Sequence, residues 1–222
     1  MLKIILITQL ILPPDFNPTG IYSQFERADL RLLYQECGLE KILTFDIFRF
    51  ALTGMGKIKE LQNKRIITII DFSKPSTQER FFVIDLADKK ILYETLVAHG
   101  KNSGENTADS FSNDSNSLKS CLGFSLTAET YIGKHGYSLS LDGLEPGIND
   151  NAKLRSIVIH GADYVSADYA RQYGRLGRSW GCPALPVNSS KKIIDKISKG
   201  SCLFIYGNDP EYLKASKILN EK

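Results

Sequence analysis

Several features that mark specialised classes of protein are scarce in this 222-residue sequence. Cysteine occurs four times and tryptophan once, and four cysteines are too few for a disulfide scaffold of this length. Basic residues exceed acidic ones by only three, too small an excess to indicate nucleic-acid binding. No apolar run reaches the ~20 residues that cross a bilayer. The 42% hydrophobic and 24% charged residues are ordinary globular usage, and the length favours one domain with a small appendage.

The N-terminus resembles part of an export signal. Lys3 precedes a short apolar stretch that ends before Pro13, as in the first regions of a secretory signal peptide. Gln9 interrupts that stretch, and no small-residue cleavage motif follows. Residues 1–14 are therefore the remnant of an export signal, an ordinary buried segment or a first strand. The first interpretation leaves open an association with the membrane or envelope through the N-terminus.

Residues 20–62 have the apolar spacing that is typical of helices. Phe25, Ala28 and Leu32 would share one helical face, and a second apolar face is predicted from residue 47 to residue 58. Gly38 lies between the two stretches and is predicted to end the first helix. We therefore divide the chain into a helical N-terminal segment, residues 1–62, and a second domain, residues 63–222.

Short β-branched runs in the second part predict strands. These runs lie at residues 66–70, 81–86, 91–98, 138–141, 155–160 and 201–206. A helix with a Ser or Asn cap is predicted over residues 188–199. The polar stretch 101–118 is either a flexible linker or a loop lying over a site. The predicted fold class is mainly β with a few helices, preceded by the helical N-terminal segment.

The strongest candidate for a catalytic motif in the sequence is Ser179, Trp180, Gly181 and Cys182. A thiol attacks a carbonyl only as the thiolate, whose formation nearby cations or a base promote. Gly181 allows a sharp turn and a close approach of substrate, and the backbone N–H groups of Gly181 and Cys182 are predicted to hold an oxyanion. The alternative is an unreactive cysteine in a glycine-rich loop.

His160 is the predicted partner of that thiol. It ends a predicted strand and precedes Gly161, so the ring would be held rigidly yet exposed, as a base requires. A hydrogen-bonded structural histidine is the alternative. Arg175 and Arg178 precede the cysteine with no acid nearby. They are predicted either to bind carboxylates or to form a solvated basic face.

The remaining cysteines and histidines carry weaker signals. Cys37, Cys121 and Cys202 are predicted to be core or near-core residues, where burial keeps a thiol unreactive. His99 and His135 receive no role. No group of side chains has the spacing of a metal-binding motif, so we expect neither a metal nor another cofactor.

An ordered set of short motifs resembles the L,D-transpeptidase (YkuD-like) catalytic domain. The motifs with the site residues are His160-Gly161-Ala162 and Ser179-Trp180-Gly181-Cys182-Pro183-Ala184, and the others are Val97-Ala98-His99-Gly100, Phe111-Ser112-Asn113, Leu122-Gly123-Phe124 and Gly133-Lys134-His135-Gly136. The similarity extends from about residue 66 to residue 206. It is strongest to the divergent murein L,D-transpeptidase branch.

The resemblance implies a β-rich fold and chemistry on bacterial peptidoglycan stem peptides. The thiolate of Cys182 would attack the carbonyl of a tetrapeptide donor, D-alanine would leave, and an amine of a second stem would resolve the thioester. His160 would shuttle the proton, with the carbonyl of Gly161 as its partner. Such an enzyme is expected in the periplasm or cell envelope, with no nucleic acid as partner.

Two positions depart from the family pattern. Trp180 stands where a second histidine is usual, and an indole cannot act as a base. Ala184 replaces a polar residue that is usual two positions past the cysteine. Ser179, Trp180, Tyr131 and Ser120 are predicted to contact the donor peptide, with core or surface roles as the alternative for the last two.

Two rival functions use the same residues. An L,D-carboxypeptidase or endopeptidase would use water in place of the acceptor amine. A catalytically silent wall-binding module would keep only the fold, a rival motivated by Trp180 and Ala184. A papain-like protease fits poorly, because its cysteine normally precedes its histidine, whereas Cys182 follows His160 here.

Overall fold

The computed structural model describes residues 27–221, which fold mainly into strands. The strands are β1 (Asn63–Asp71), β2 (Phe81–Asp85), β3 (Lys90–Thr95), β4 (Gly123–Gly133), β5 (Gly136–Gly143), β6 (Val158–Gly161), β7 (Ala184–Leu185) and β8 (Ser201–Tyr206). The helices are α1 (Arg27–Glu36), α2 (Phe45–Met55), α3 (Ala167–Tyr173), α4 (Val187–Ile197), α5 (Pro210–Ala215) and α6 (Lys217–Asn220). The predicted fold class is confirmed. The proposed export signal at residues 1–14 and Phe25 lie outside the described residues.

The eight strands form one sheet in the order β3-β2-β1-β8-β4-β5-β6-β7. Neighbours are antiparallel except β1 with β8 and β6 with β7, which are parallel. Ala98, just past β3, makes an isolated bridge to Ala184 of β7, so the two ends of the strand order meet. This closure brings the segment after β3 next to the segment before β7, which contains Cys182.

One hydrophobic core runs from the N-terminal helices into the sheet. Leu33 of α1 and Phe48 and Leu52 of α2 are buried in it, and each such side chain contributes about 1.5–3 kcal/mol. Helix α2 approaches the sheet most closely at Gly54, where a Cβ would collide with the ring of Phe124. The division of the chain at residue 62 stays a prediction. Among the helices of residues 27–221, none combines the length and apolar character needed to span a bilayer.

Three local predictions differ from the structure. The strand predicted at residues 155–160 is only β6, because residues 151–156 form turns and Ser156 has a left-handed φ of 55°. Helix α4 starts directly after Pro186 without a side-chain cap, so the predicted Ser or Asn cap is wrong. The long strand β4 is missing from the predicted strands, although apolar and polar residues alternate over residues 124–129.

Candidate active site

The sheet places Cys182 beside β6. Strand β7 begins two residues after the cysteine and pairs in parallel with β6, with Ala184 opposite His160. The N–H of Val158 donates to the sulfur at 3.5 Å, and the thiol donates to the carbonyl of Ser156 at 3.6 Å. The pairing of two short strands therefore brings the thiol and the imidazole to one end of the sheet.

Both side chains border the same cavity, which has a volume of about 380 Å³. Its lining residues are Lys134, His135, His160, Gly161, Ala162, Asp163, Tyr164, Arg178, Ser179, Trp180 and Cys182. Two larger grooves, of about 660 and 490 Å³, are lined by neither Cys182 nor His160. The smaller cavity is therefore the candidate site, because it alone of these three holds a nucleophile and a base.

The tautomer of His160 follows from its hydrogen bond. Nδ1 lies 3.0 Å from the carbonyl oxygen of Gly161. A carbonyl can only accept, so Nδ1 carries the hydrogen and Nε2 keeps the lone pair. The ring is thus oriented by its own neighbour in the chain, and its second nitrogen is available as a base.

Burial favours neutral forms of both groups. Cys182 is 8% exposed, and burial raises its pKa, although the N–H of Val158 and the charge of Arg155 act in the opposite direction. His160 is 3% exposed; burial lowers its pKa, its hydrogen bond to a backbone carbonyl raises it, and nearby His135 lowers it further. A neutral imidazole and a neutral thiol that border one cavity are suited to general-base activation rather than to a preformed ion pair.

A hydrogen-bonded turn presents the cysteine. The hydroxyl of Ser179 donates to the carbonyl of Cys182 at 2.6 Å and accepts the N–H of Gly181 at 3.0 Å. The N–H of Gly181 thus already has a partner, and its predicted role toward an oxyanion stays a prediction. Ser179 borders the cavity, but its hydroxyl stabilises the turn instead of facing a ligand.

Ser120 supports this turn from beneath. Its hydroxyl donates to the carbonyl of Gly181 at 3.1 Å, and it is only 1% exposed. This burial fits the core role that is the alternative for Ser120, and its contact with a donor peptide stays a prediction. Gly181 has a φ of 128°, and a Cβ there would lie 2.8 Å from the carbonyl oxygen of Lys119, so the turn requires glycine.

The two predicted arginines bind a carboxylate of the protein itself. Arg175 Nε lies 3.0 Å and Arg178 Nη1 lies 2.6 Å from the carboxylate of Glu105. Arg178 also donates to the carbonyls of Lys101 and Gly104, both at 3.2 Å. Neither arginine is thus a free basic face, and only Arg178 borders the cavity. The stretch 101–118 is accordingly a loop fastened to the segment that carries the cysteine.

Other predicted residues lie at varying distances from the cavity. Trp180 borders it and is 68% exposed, whereas Tyr131 is exposed on β4 and is not among the lining residues. The other three cysteines are buried and free, as predicted; burial raises the pKa of Cys37 to about 12 and that of Cys121 to about 11. Within residues 27–221, no three His, Cys, Asp or Glu side chains are arranged to hold a metal ion.

Sequence reasoning missed three residues beside the site. Arg155 lowers the pKa of Cys182 from below the turn, Tyr164 borders the cavity, and His135 stacks on His160. His135 had a detectable signal, because it lies between Lys134 and Gly136 in a polar turn joining two strand-like runs. The stacking itself depends on strand register, which short motifs do not reveal.

Comparisons with known proteins point to one family. A family model described as L,D-transpeptidase catalytic domain matches residues 39–206. Similar solved structures include an L,D-transpeptidase from Mycobacterium smegmatis (13% identity, TM-score 0.39), L,D-transpeptidase 3 from Mycobacterium tuberculosis (10%, 0.41) and the helical cell shape determining protein Pgp2 from Campylobacter jejuni (17%, 0.43). In the same order, the alignments cover 64%, 64% and 70% of this chain. They cover 59%, 61% and 54% of the three solved chains, so this chain spans less than two thirds of their length. No curated protein matches.

Proposed function

The chain belongs to the L,D-transpeptidase catalytic-domain family, and we propose that it is a cysteine-dependent L,D-transpeptidase acting on peptidoglycan stem peptides. The observation that carries the proposal is the cavity shared by Cys182 and His160. In it the hydrogen bond from Nδ1 to the carbonyl of Gly161 leaves Nε2 as a base. The proposed place of action is the periplasm or cell envelope, where that substrate lies.

The first half of the reaction forms a thioester. Nε2 of His160 takes the thiol proton as the sulfur of Cys182 bonds to the carbonyl carbon between the L centre and the terminal D-alanine of a tetrapeptide donor. The backbone N–H of Cys182 is the proposed donor to the resulting oxyanion, at about 3 kcal/mol per hydrogen bond. As the C–N bond breaks, the imidazolium returns its proton to the amine of D-alanine, which leaves.

The second half resolves the thioester. An amine of a second stem peptide attacks the thioester carbonyl, and Nε2 of His160 takes a proton from that amine. The C–S bond breaks, and the proton passes to the sulfur of Cys182, so the enzyme returns to its starting state. The exposed indole of Trp180 and the guanidinium of Arg178 border this cavity and are proposed to contact the peptides.

The burial of the thiol bears on one of the two rival functions. The thiol is 8% exposed and burial raises its pKa, which favours a silent wall-binding module unless substrate binding drives proton transfer. Water in place of the amine would make the same site a carboxypeptidase or endopeptidase. Because all three functions use one fold, product analysis has to separate them.

The test is product analysis with a synthetic tetrapeptide, with and without an amine acceptor. The wild type is expected to release D-alanine and form a cross-linked product only when the acceptor is present. Cys182→Ala is expected to lose at least about a thousandfold in rate, whereas the control Cys37→Ala keeps it, because Cys37 is buried in the core and does not line the cavity. Release of D-alanine without cross-linking would identify a hydrolase, and full activity of Cys182→Ala would end the proposal.

A further inference from the structure

The turn between β4 and β5 reaches over the candidate site. Gly133 pairs with Gly136, so the tip consists of Lys134 and His135. Strand β5 continues from this turn and pairs with β6, with Ser138 opposite His160. Because the turn starts two residues before that pairing, its tip projects past the end of β6 and over the imidazole.

Both tip residues contact the site. The ring of His135 stacks on the ring of His160, with 4.5 Å between centroids and an interplanar angle of 23°. The ammonium of Lys134 lies 5.7 Å from the centroid of the Trp180 ring. One short turn thus contacts both halves of the site, the strand that carries the imidazole and the turn that carries the thiol.

We propose that His135 is a positioning residue for His160, which fixes the plane of the catalytic imidazole by stacking. The proposal rests on the proposed function, in which His160 is the base. Stacked rings have their N–H groups in the ring planes, so His135 cannot pass a proton directly to the stacked ring. It acts through the orientation and charge of His160.

The stacking of His135 adds a second restraint on the ring of His160, besides the hydrogen bond to the carbonyl of Gly161. The hydrogen bond to Nδ1 fixes one atom of the ring of His160, and the flat face of His135 limits tilting about that bond. Nε2 therefore keeps its direction while a proton moves to it and away again. A loss of ring orientation lowers the rate of such proton transfers.

The stacked contact also makes the charge of His160 depend on the charge of His135. A neutral His135 ring stabilises an imidazolium across the stack, whereas a protonated one repels it. The other titratable or charged groups that border the cavity are Lys134, Asp163, Tyr164, Arg178 and Cys182. None of them stacks on His160, so the pairwise effect is expected to belong to His135. Removing the charge of His135 is therefore expected to raise the pKa of His160.

Two substitutions separate the roles of the ring and of its charge. His135→Phe keeps a flat ring and removes the titration, and His135→Ala removes both. At about pH 8 we expect kcat/KM within about twofold of wild type for His135→Phe and about fivefold lower for His135→Ala, mainly in kcat. The acid limb of kcat/KM should move to higher pH in both variants, because His135 lowers the pKa of His160. Ile132→Ala, an exposed change on the same hairpin, should alter neither value.

A titration without turnover tests the contact independently. The chain has only three histidines, so their ring protons can be followed individually by NMR as the pH is lowered. His160 should titrate at higher pH in His135→Phe than in the wild type, because His135 lowers the pKa of His160. Identical His160 curves in the two proteins, or wild-type kcat/KM in His135→Ala, would overturn the proposal. Loss of peptidoglycan activity in the wild type would instead overturn the proposed function, and the titration would still decide the coupling.

Discussion

His99 and His160 lie on opposite sides of the turn that presents the thiol, and their ring nitrogens are used differently. His99 is fully buried, and its backbone carbonyl accepts the N–H of Ser179 at 2.9 Å. Arg80 has only donors, so its contact at 2.7 Å with Nδ1 makes that nitrogen an acceptor. Nε2–H then donates to the carbonyl of Gly104 at 3.2 Å. Both nitrogens of His99 are therefore occupied.

Among the described residues, the ring nitrogens of His160 have one hydrogen-bond partner, whereas those of His99 have two. Its Nδ1 donates to Gly161, and its other nitrogen belongs to a ring that borders a cavity. Burial lowers the pKa of both imidazoles, so neither ring is expected to be charged at neutral pH. What separates a structural histidine from a candidate base in this fold is the second nitrogen, and not burial or charge.

The largest expected effect comes from removing Nε2 of His160, the nitrogen that distinguishes this ring from His99. His160→Gln is expected to lower kcat/KM by about 10²–10⁴-fold, because His160 is the proposed base and an amide cannot take the thiol proton and return it. The rate is measured with the tetrapeptide donor and an amine acceptor, and the binding of the donor should change little.

His99→Gln is the matched control for that variant. The glutamine amide can donate to the carbonyl of Gly104 and accept from Arg80, so most of the activity should remain. A near-normal rate in His160→Gln would move the base elsewhere. A loss in His99→Gln as deep as that in His160→Gln would show that both histidines act through the fold.

The second expected effect is on stability, and it comes from His99. Burial and the charge of Arg80 lower the pKa of His99 to about 4, against about 6.5 in an unfolded chain. The contribution is fully present above pH 6.5 and is lost as the pH falls to about 4, because only the unfolded chain binds the proton in that range. The expected loss of unfolding free energy is about 3 kcal/mol, measured by urea unfolding at about pH 7.5, 5.5 and 4.

The variant His99→Gln also serves this experiment, since glutamine does not titrate. The other acidic groups are the same in both proteins, so their contributions to the pH dependence cancel in the difference. The variant should lose less stability than the wild type between pH 6.5 and 4. Equal losses in the two proteins would mean that His99 contributes nothing to acid sensitivity.

The comparison also shows what the sequence could predict. Gly38, with a φ of 70°, follows the end of α1 as predicted, and β8 has the predicted bounds, because local chemistry decides both. His160 and Cys182 were found together from residue type and neighbouring glycines. These signals depend only on residues that are close in the chain, so they can be recognised in a single sequence.

The sequence-based predictions failed where a side chain contacts residues that are distant in the sequence. Arg175 was assigned to a substrate carboxylate or to solvent, but a loop some 70 positions away supplies Glu105. His99 and His135 received no role, because only the closed sheet places one beneath the turn and the other over the imidazole. Register and loop closure are set by tertiary packing, which a motif does not contain.

The smallest expected effect concerns Ser120, which connects the two regions. Its hydroxyl accepts the N–H of Gly100, next to His99, and donates to the carbonyl of Gly181, next to Cys182. Ser120→Ala leaves a buried N–H without its partner, at a cost of about 1–3 kcal/mol in unfolding free energy. The rate should fall less than about tenfold, because Ser179 still holds Gly181. The exposed change Ser115→Ala should alter neither quantity, and a loss of activity in Ser120→Ala as large as that in His160→Gln would make the hydroxyl part of the chemistry instead of its support.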